Sequence, residues 1–444
     1  MKFAPHVFRA YDIRGIVPDE LDADAAEQVG RAFAAHLNPQ TVVVGRDVRL
    51  TGEELQGRAM EGLVRSGVDV INIGQVSTDA FYYACATRSL PGIMVTASHN
   101  PAEYNGFKLV KDMPFLVMAK EFKKHVLEET YKDAPAAGEI HTEPVVDDFI
   151  EHLLTIVPAE NLRPLKVVID TSSGAQGPIW ERLADKLPIS IIPLFFEPDG
   201  TFPGHGNDVI QPANQEPLRK KVIETKADLG LIFDPDGDRC LLVDDRGETV
   251  PGDFVTALLA AEMLKHHPGG TVLYDIRASD AVPAIIEQAG GKAFVWKPGH
   301  VYIKQKMKEL GAVFGGEVSG HYYFRDFWGA DCGLLAGLTI LEYVSQLKGR
   351  LSEKVEELES TYHLSGEINS SVPDIPAAIA RIRERYHDAA MNELSGLEIR
   401  YPDWRCVVRP SDNEPLIRLT LEADSQEKME QKRDEVLALI RKEA

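Results

Sequence analysis

Ser98 lies in the run Val95-Thr96-Ala97-Ser98-His99-Asn100-Pro101, where small polar residues follow the apolar stretch Gly92-Ile93-Met94-Val95. The residue before a proline is driven toward extended backbone, so this stretch is expected as an exposed turn that presents one hydroxyl. A lone Ser-His pair in such a place is ordinarily just a polar loop. A second turn gives it meaning. Asp234-Pro235-Asp236-Gly237-Asp238-Arg239 follows the apolar Leu229-Gly230-Leu231-Ile232-Phe233, with Asp234, Asp236 and Asp238 alternating. Carboxylates this close raise one another's pKa, and a cation between them is the natural remedy. All-oxygen donors that leave positions open for a phosphate oxygen suit Mg²⁺. The turn is not an EF-hand, whose glycine would fall at Arg239 and whose closing glutamate would fall at Asp245.

These turns admit competing chemistries. In an aspartyl-phosphate phosphatase or phosphotransferase Asp234 is the nucleophile and Ser98 is incidental. A serine-triad hydrolase lacks an identified base, because side chains of neighbours in an extended turn point apart and His99 adjoins Ser98. A catalytically idle sugar-phosphate binding protein is a further reading.

The elements that must position these turns follow a repeated α/β pattern. A helix fits Asp22 to Leu37, a strand Thr41 to Gly45, and Thr51-Gly52-Glu53-Glu54 matches a capping box before a second helix. Val68 to Gly74 is a strand, and Ser98 ends a later one. Lys166-Val167-Val168-Ile169-Asp170 and Thr271-Val272-Leu273-Tyr274-Asp275 open two further units. One unit delivers the aspartate turn, and the other delivers Gly316-Glu317-Val318-Ser319-Gly320-His321 after Ala312-Val313-Phe314. Ligands of such sheets gather at strand ends. Residues 132–149 read as a first linker, and a second boundary lies near Asp244-Asp245-Arg246-Gly247. From Ser365 the pattern becomes α+β, with a helix near Ala377 to Tyr386, strands at Glu398–Tyr401, Cys406–Arg409 and Leu416–Ala423, and a charged last helix. Its loop from Arg409 to Arg418 sets two arginines around Ser411 and Asn413, donors suited to a phosphate.

Length and composition bound the answer. A chain of 444 residues predicts three or four domains, and 44% apolar with 26% charged residues is the make-up of a soluble globular protein. No run is apolar enough for a signal peptide or a membrane span, so a cytoplasmic location is expected. Cys85, Cys240, Cys332 and Cys406 are scattered, which suggests buried thiols and neither disulfides nor zinc. A formal charge of −21 argues against nucleic acid and anionic membrane as partners. An anionic ligand must then be held by local clusters of Arg and Lys.

The motifs together resemble the α-D-phosphohexomutases of the phosphomannomutase/phosphoglucomutase type. The resemblance runs through Phe8-Arg9-Ala10-Tyr11-Asp12-Ile13-Arg14-Gly15, Thr96 to Pro101 with Tyr104-Asn105-Gly106-Phe107-Lys108, Asp234 to Arg239, Gly299-His300, Gly316 to His321 and Arg409-Pro410-Ser411, in order along the whole chain. It implies three similar mixed α/β domains around a cleft and a C-terminal α+β domain like the TATA-binding-protein fold. Boundaries are expected at 1–145, 146–247, 248–364 and 365–444.

By the same resemblance Ser98 is the phosphoserine, and Asp234, Asp236 and Asp238 hold Mg²⁺ with the Ser98 group beside them. Glu317 and Ser319 read sugar hydroxyls, and Arg409, Ser411, Asn413 and Arg418 hold the phosphate that is not reacting. Arg14, Lys108 and Arg239 surround the transferring group, with Lys108 and His300 as candidate acid/base groups. The Lys108 role requires a lowered pKa. The expected reaction interconverts hexose 6-phosphate and hexose 1-phosphate, of mannose or glucose, through a hexose 1,6-bisphosphate that also serves as activator. Asp412 and Asn413 depart from the usual phosphate loop, and an aspartate there opposes a phosphate unless it turns away. Asp170-Thr171-Ser172-Ser173-Gly174 departs from the family's commoner Asn-Gly pair, a change read as neutral.

Overall fold

A computed structural model of the chain describes residues 5–9, 11–128, 131–411 and 416–442. It contains four sheets among the described residues. In the first, Gly92–Val95, Thr41–Arg46 and Asp69–Gln75 run parallel, while Tyr104–Asp112 folds back antiparallel on Gly92–Val95 and then pairs with Asp12–Ile16. The Ser98 turn is the connection of that hairpin. The second sheet repeats the device, with parallel Lys166–Asp170, Ser190–Leu194 and Leu229–Phe233 and an antiparallel return on Cys240–Val243. The aspartate turn connects the last two. In the third sheet Phe314–Gly316 is parallel to Thr271–Asp275 and antiparallel to Tyr322–Phe324, with residues 317–321 between them. Each functional turn thus sits where a parallel strand meets an antiparallel one, the strand-end position at which α/β sheets bind ligands.

The fourth sheet is antiparallel throughout, in the order His363–Leu364, Leu416–Ala423, Trp404–Pro410, Leu397–Arg400 and Ala390–Asn392, with Ile368–Ser371 also on Leu416–Ala423. Helices Ile375–Arg385 and Gln426–Arg441 accompany it. The fold is the mixed α/β class with a final α+β unit, as the pattern of elements requires. Among the described residues no helix is long and apolar enough to cross a membrane.

Several sequence expectations shift. Thr51 makes no side-chain cap to its helix, and its hydroxyl instead accepts from Asn105 Nδ2 at 3.0 Å. The stretch read as a linker contains Ile140–Thr142, which joins the first sheet beside Asp69–Gln75, and the start of helix Val146–Ile156. The third unit's strand begins at Phe314 and includes Gly316, so the loop after it is one residue shorter. The cysteines are buried and free, as expected.

One apolar core runs continuously from Phe81 and Tyr82 through Trp180 and Phe233 to Phe314 and Leu335, joining the first three units. Asp79 pins the junction. Near the start of helix Thr78–Arg88, its carboxylate accepts from Gln176 Nε2 at 2.9 Å and from the Leu334 amide at 3.2 Å, while Gln176 also donates to the Gly237 carbonyl at 3.0 Å. Burial pushes this carboxyl up from 3.8 to about 6, against the lowering pull of Ser77, Leu334, Cys332 and Gln176. A raised folded pKa means that the folded protein binds the proton more tightly. The associated stability is present below pH 4 and is lost as pH rises through about 6. Asp79→Asn removes that titration, so its melting temperature should gain on the unmodified protein between pH 4 and 8, with a difference of up to roughly 3 kcal/mol. Parallel melting curves at both ends of that range check the slope.

Candidate active site

A cleft of about 1730 Å³ is lined by residues from all four units, including Arg14, Ser98, Lys108, Asp238, Arg239, Arg277, His300, Ser319, His321, Arg409 and Arg418. At its floor Ser98 takes a left-handed backbone, φ +50°, that a serine seldom adopts. The site supports it from several sides: the Thr96 hydroxyl accepts from the Ser98 amide at 2.9 Å, and Arg49 donates to the carbonyls of Ser98, Asn100, Pro101 and Tyr104, each at 2.7 Å. Arg49 is itself fully buried, with its Nε 3.3 Å from Asp47 and its guanidinium over the Phe202 ring. Arg14 closes the other side of the loop through Asn100 Oδ1 at 2.6 Å and the Ala97 carbonyl at 3.2 Å.

Two expectations for this loop are corrected. Ser98 is only 2% exposed, because the turn folds inward against the aspartate loop instead of projecting into solvent. Its Oγ lies 3.3 Å from Asp234 Oδ2 and 3.2 Å from His99 Nδ1. The adjacent histidine does reach the serine, since a left-handed residue does not splay its neighbours as an extended one does. Arg239 Nη2 lies 2.8 Å from the same His99 Nδ1, and a guanidinium can only donate. Together with burial, Arg239 holds the His99 pKa well below its usual value, leaving a neutral ring.

Asp234, Asp236 and Asp238 are buried, and their ligand oxygens lie within 4.8 Å of one another. Gly237 supplies the tight turn at φ +78°. Burial and then the Asp238 and Asp236 carboxylates push Asp234 well above the carboxylate range. Asp236 goes the other way: burial would raise it, but Lys108 and the Thr78 hydroxyl outweigh that and lower it. Lys108 Nζ sits 2.6 Å from both Asp236 Oδ2 and Asp238 Oδ2. The remaining oxygens, Asp236 Oδ1 and Asp238 Oδ1, are buried without a hydrogen-bond partner among the described residues. Hard, buried oxygen donors with unused lone pairs fit Mg²⁺.

The acid/base candidates divide. Burial works to lower the Lys108 pKa, but Asp236 and Asp238 overcome it and raise it well above normal, the reverse of what proton uptake by this residue requires. For His300, burial and the Lys304 ammonium both depress the pKa, so the ring is neutral; it packs edge-on to Tyr11 and stacks 6.3 Å from His321. His321 Nε2 accepts from Arg239 Nε at 3.1 Å, and its Nδ1 is 3.2 Å from Asp331, which also pairs with Lys304 at 2.6 Å.

Ser319 is on the cleft wall. Glu317 lies behind it, buried, its carboxylate accepting from the Gly299 amide at 2.8 Å and the Tyr323 hydroxyl at 2.5 Å. Arg409 and Arg418 reach the cleft from the fourth sheet, and Ser411 Oγ is 3.4 Å from Arg418 Nη2. Asn413 and Asp412 lie outside the described residues.

Sequence reading passed over Asp47 and Arg49, Thr78, His321, and the pair Lys304 and Asp331. Arg46-Asp47-Val48-Arg49 closes a Val-rich strand, the same signal that singled out the aspartate turn. His321 closes the Gly316-to-His321 run, which by itself assigns it no role, and Thr78, Lys304 and Asp331 carry no local signal, because their partners lie on other elements.

Comparison with known proteins agrees along the whole chain. Residues 5–133, 147–247 and 251–362 match phosphoglucomutase/phosphomannomutase alpha/beta/alpha domains I, II and III, and residues 367–439 match the C-terminal domain of that family. A phosphomannomutase of Salmonella montevideo is 38% identical over 449 residues, covering 98% of each chain. A protein of Xanthomonas campestris named phosphohexose mutases is 40% identical over 422 residues and 94% of each chain. The crystal structure of a phosphoglucomutase/phosphomannomutase family protein from Burkholderia thailandensis superposes with a TM-score of 0.90 at 32% identity, over 99% of this chain and 98% of the other.

The four carbonyls gathered by Arg49 yield a test that needs no substrate. A lysine cannot span them, so Arg49→Lys should raise amide hydrogen exchange across residues 98–104 by at least about tenfold while distant strands keep their protection. Unchanged exchange would show that the turn holds its shape by itself.

Proposed function

Since the chain belongs to the phosphoglucomutase/phosphomannomutase family, and is therefore a phosphohexomutase, we propose that it interconverts hexose 6-phosphate and hexose 1-phosphate through phosphoserine at Ser98. The observation that carries this reading is the contact of Ser98 Oγ with Asp234 Oδ2 at 3.3 Å, on the floor of a cleft whose far wall supplies Arg409 and Arg418. Family membership does not favour the alternative with Asp234 as the nucleophile. In that alternative the buried serine and the arginine cage of its loop would have no task.

In the proposed cycle the phosphoryl–Oγ bond of Ser98 breaks as a bond forms to the free hydroxyl of the bound hexose phosphate. The resulting bisphosphate turns end for end, and its other phosphoryl group returns to Ser98. Asp234, Asp236 and Asp238 would hold Mg²⁺, which when bound supplies positive charge beside the transferring group. Arg14, Lys108 and Arg239 offset charge on its equatorial oxygens. The neutral His300 ring is assigned to take the hydroxyl proton, with Lys108 kept as a cation. Arg409, Ser411, Asn413 and Arg418 hold the other phosphate. Glu317 and Ser319 are assigned to the sugar, Glu317 exchanging its bond to Tyr323 for one to a hydroxyl.

Labelling with a radioactive hexose 1,6-bisphosphate should give a protein-bound phosphate that resists hydroxylamine, is released by alkali, and is missing from Ser98→Ala, whose kcat falls at least about a thousandfold. Release by hydroxylamine would identify an acyl phosphate and end the Ser98 assignment.

Substrate breadth follows from which hydroxyls are read. The 3- and 4-hydroxyls, which Glu317 and Ser319 would read, have the same configuration in glucose and mannose, and the ring must bind in two orientations within one proposed cycle. The kcat/KM values for glucose 1-phosphate and mannose 1-phosphate should therefore agree within roughly a hundredfold, under about 3 kcal/mol. A preference beyond roughly ten-thousandfold would require a dedicated contact at the 2-position.

A further inference from the structure

Glu367 lies just after Gly366, whose φ of +66° falls in the turn between His363–Leu364 and Ile368–Ser371, two strands of the fourth sheet. Its carboxylate sits among guanidinium groups from two units. Oε1 accepts from Arg418 Nη1 at 2.8 Å, and Oε2 lies 3.9 Å from Arg409 Nη2 and 3.8 Å from Arg277 Nη1. Arg277 has its own anchor, a two-point contact with Asp275 at 2.9 and 2.8 Å, and it also faces Glu317 at 3.7 Å. The Nε of Arg409 is buried without a hydrogen-bond partner among the described residues. Burial and the nearby Arg277 depress the Arg409 pKa, and Glu367 opposes that shift. Three guanidinium groups thus crowd around one carboxylate, and the Arg409 Nε is not reached by it.

We propose that Glu367 is an internal stand-in for the substrate phosphate: it occupies Arg409 and Arg418 between binding events and yields them when a hexose phosphate arrives. This rests on the reading of Arg409 and Arg418 as phosphate holders and deepens it. A phosphate dianion offers more charge and more acceptor oxygens than a carboxylate, so it wins the two arginines. A glutamate left beside it would be repelled, and Arg277 provides the place to retreat. The exchange suits a reaction whose intermediate must let go halfway. Each departing phosphate is replaced at once by a carboxylate, so the arginines are not left facing one another bare. Glu367 is a positioning residue in this scheme, acting through the arginines and not on the reacting atoms.

Full-length protein carrying Glu367→Gln or Glu367→Asp tests the exchange, with Arg418→Ala as the reference. With glucose 1-phosphate as probe, Glu367→Gln should lower KM by roughly tenfold and lower kcat with it, because the competing anion is gone and release slows. Inorganic phosphate should inhibit this variant at correspondingly lower concentration. Glu367→Asp keeps the charge but shortens the reach, and should fall between. Arg418→Ala should raise KM. A KM that rises in Glu367→Gln would show that the carboxylate orients the arginines for phosphate, and would overturn the exchange. A KM unchanged in Glu367→Gln but raised in Arg418→Ala removes the exchange alone. A KM unchanged in both removes the phosphate site and the exchange together.

Discussion

The site depends on how three carboxylates are kept in a buried turn. Isolated charges in such a place are costly, and a protein either neutralises them or surrounds them with donors. Here both occur, and the compensation comes from every neighbouring unit. Lys108 crosses from the first sheet to Asp236 and Asp238, and the amide and hydroxyl of Thr78, at a helix N-terminus, bind the Asp236 carbonyl and carboxylate. From the third unit the helix beginning at Gly333 approaches so closely that a Cβ there would lie 2.4 Å from the Gly237 carbonyl. The acidic turn is therefore built jointly. It brings the Ser98 loop, which shares its neighbours, to within hydrogen-bond reach of Asp234.

That joint construction explains what could be read from sequence and what could not. Strands such as Lys166–Asp170 and Leu229–Phe233 are short apolar runs with breakers at each end, and their pattern is local. The aspartate spacing is local too. The burial of Ser98 is not, because it depends on a hairpin folding toward a loop 136 residues away. Arg49 shows the same limit in another form: its charge is legible, but its four carbonyl partners lie 49 to 55 residues on. The Lys108 case is the most instructive, since a lysine near other cations should lose its proton easily. The structure pairs it with two carboxylates, and proximity to opposite charge decides the direction.

Net charge and local charge part company in the same way. A protein with a formal charge of −21 repels anions at a distance. Its cleft does not share that balance: among the described residues, nine Lys and Arg side chains line it against seven Asp and Glu. Screening over about 8 to 10 Å at ordinary ionic strength leaves the near cluster, not the distant surface, in control of a bound phosphate. Three of these acids pair with the same cations, Asp12 with Arg14, Asp238 with Lys108 and Glu367 with Arg418.

The two ways in which the units are joined bear on the turning of the bisphosphate in the proposed cycle. The first three units share one apolar core, so separating them would expose buried side chains such as Trp180 and Phe254. The fourth has a core of its own around Trp404, Ile417 and Leu419. It meets the third through polar groups: Arg405 donates to the carbonyls of Ala278 and Ile276, Arg400 pairs with Asp280, and Glu422 accepts from the Asp280 amide. Water can replace polar contacts of this kind at little net cost, whereas it cannot replace a shared core. Relative motion is the default for units joined so. The serine and acidic turns are thereby fixed to one another, as the proposed phosphoryl transfer needs, while Arg409 and Arg418, the proposed phosphate holders, ride on the unit that is free to give way.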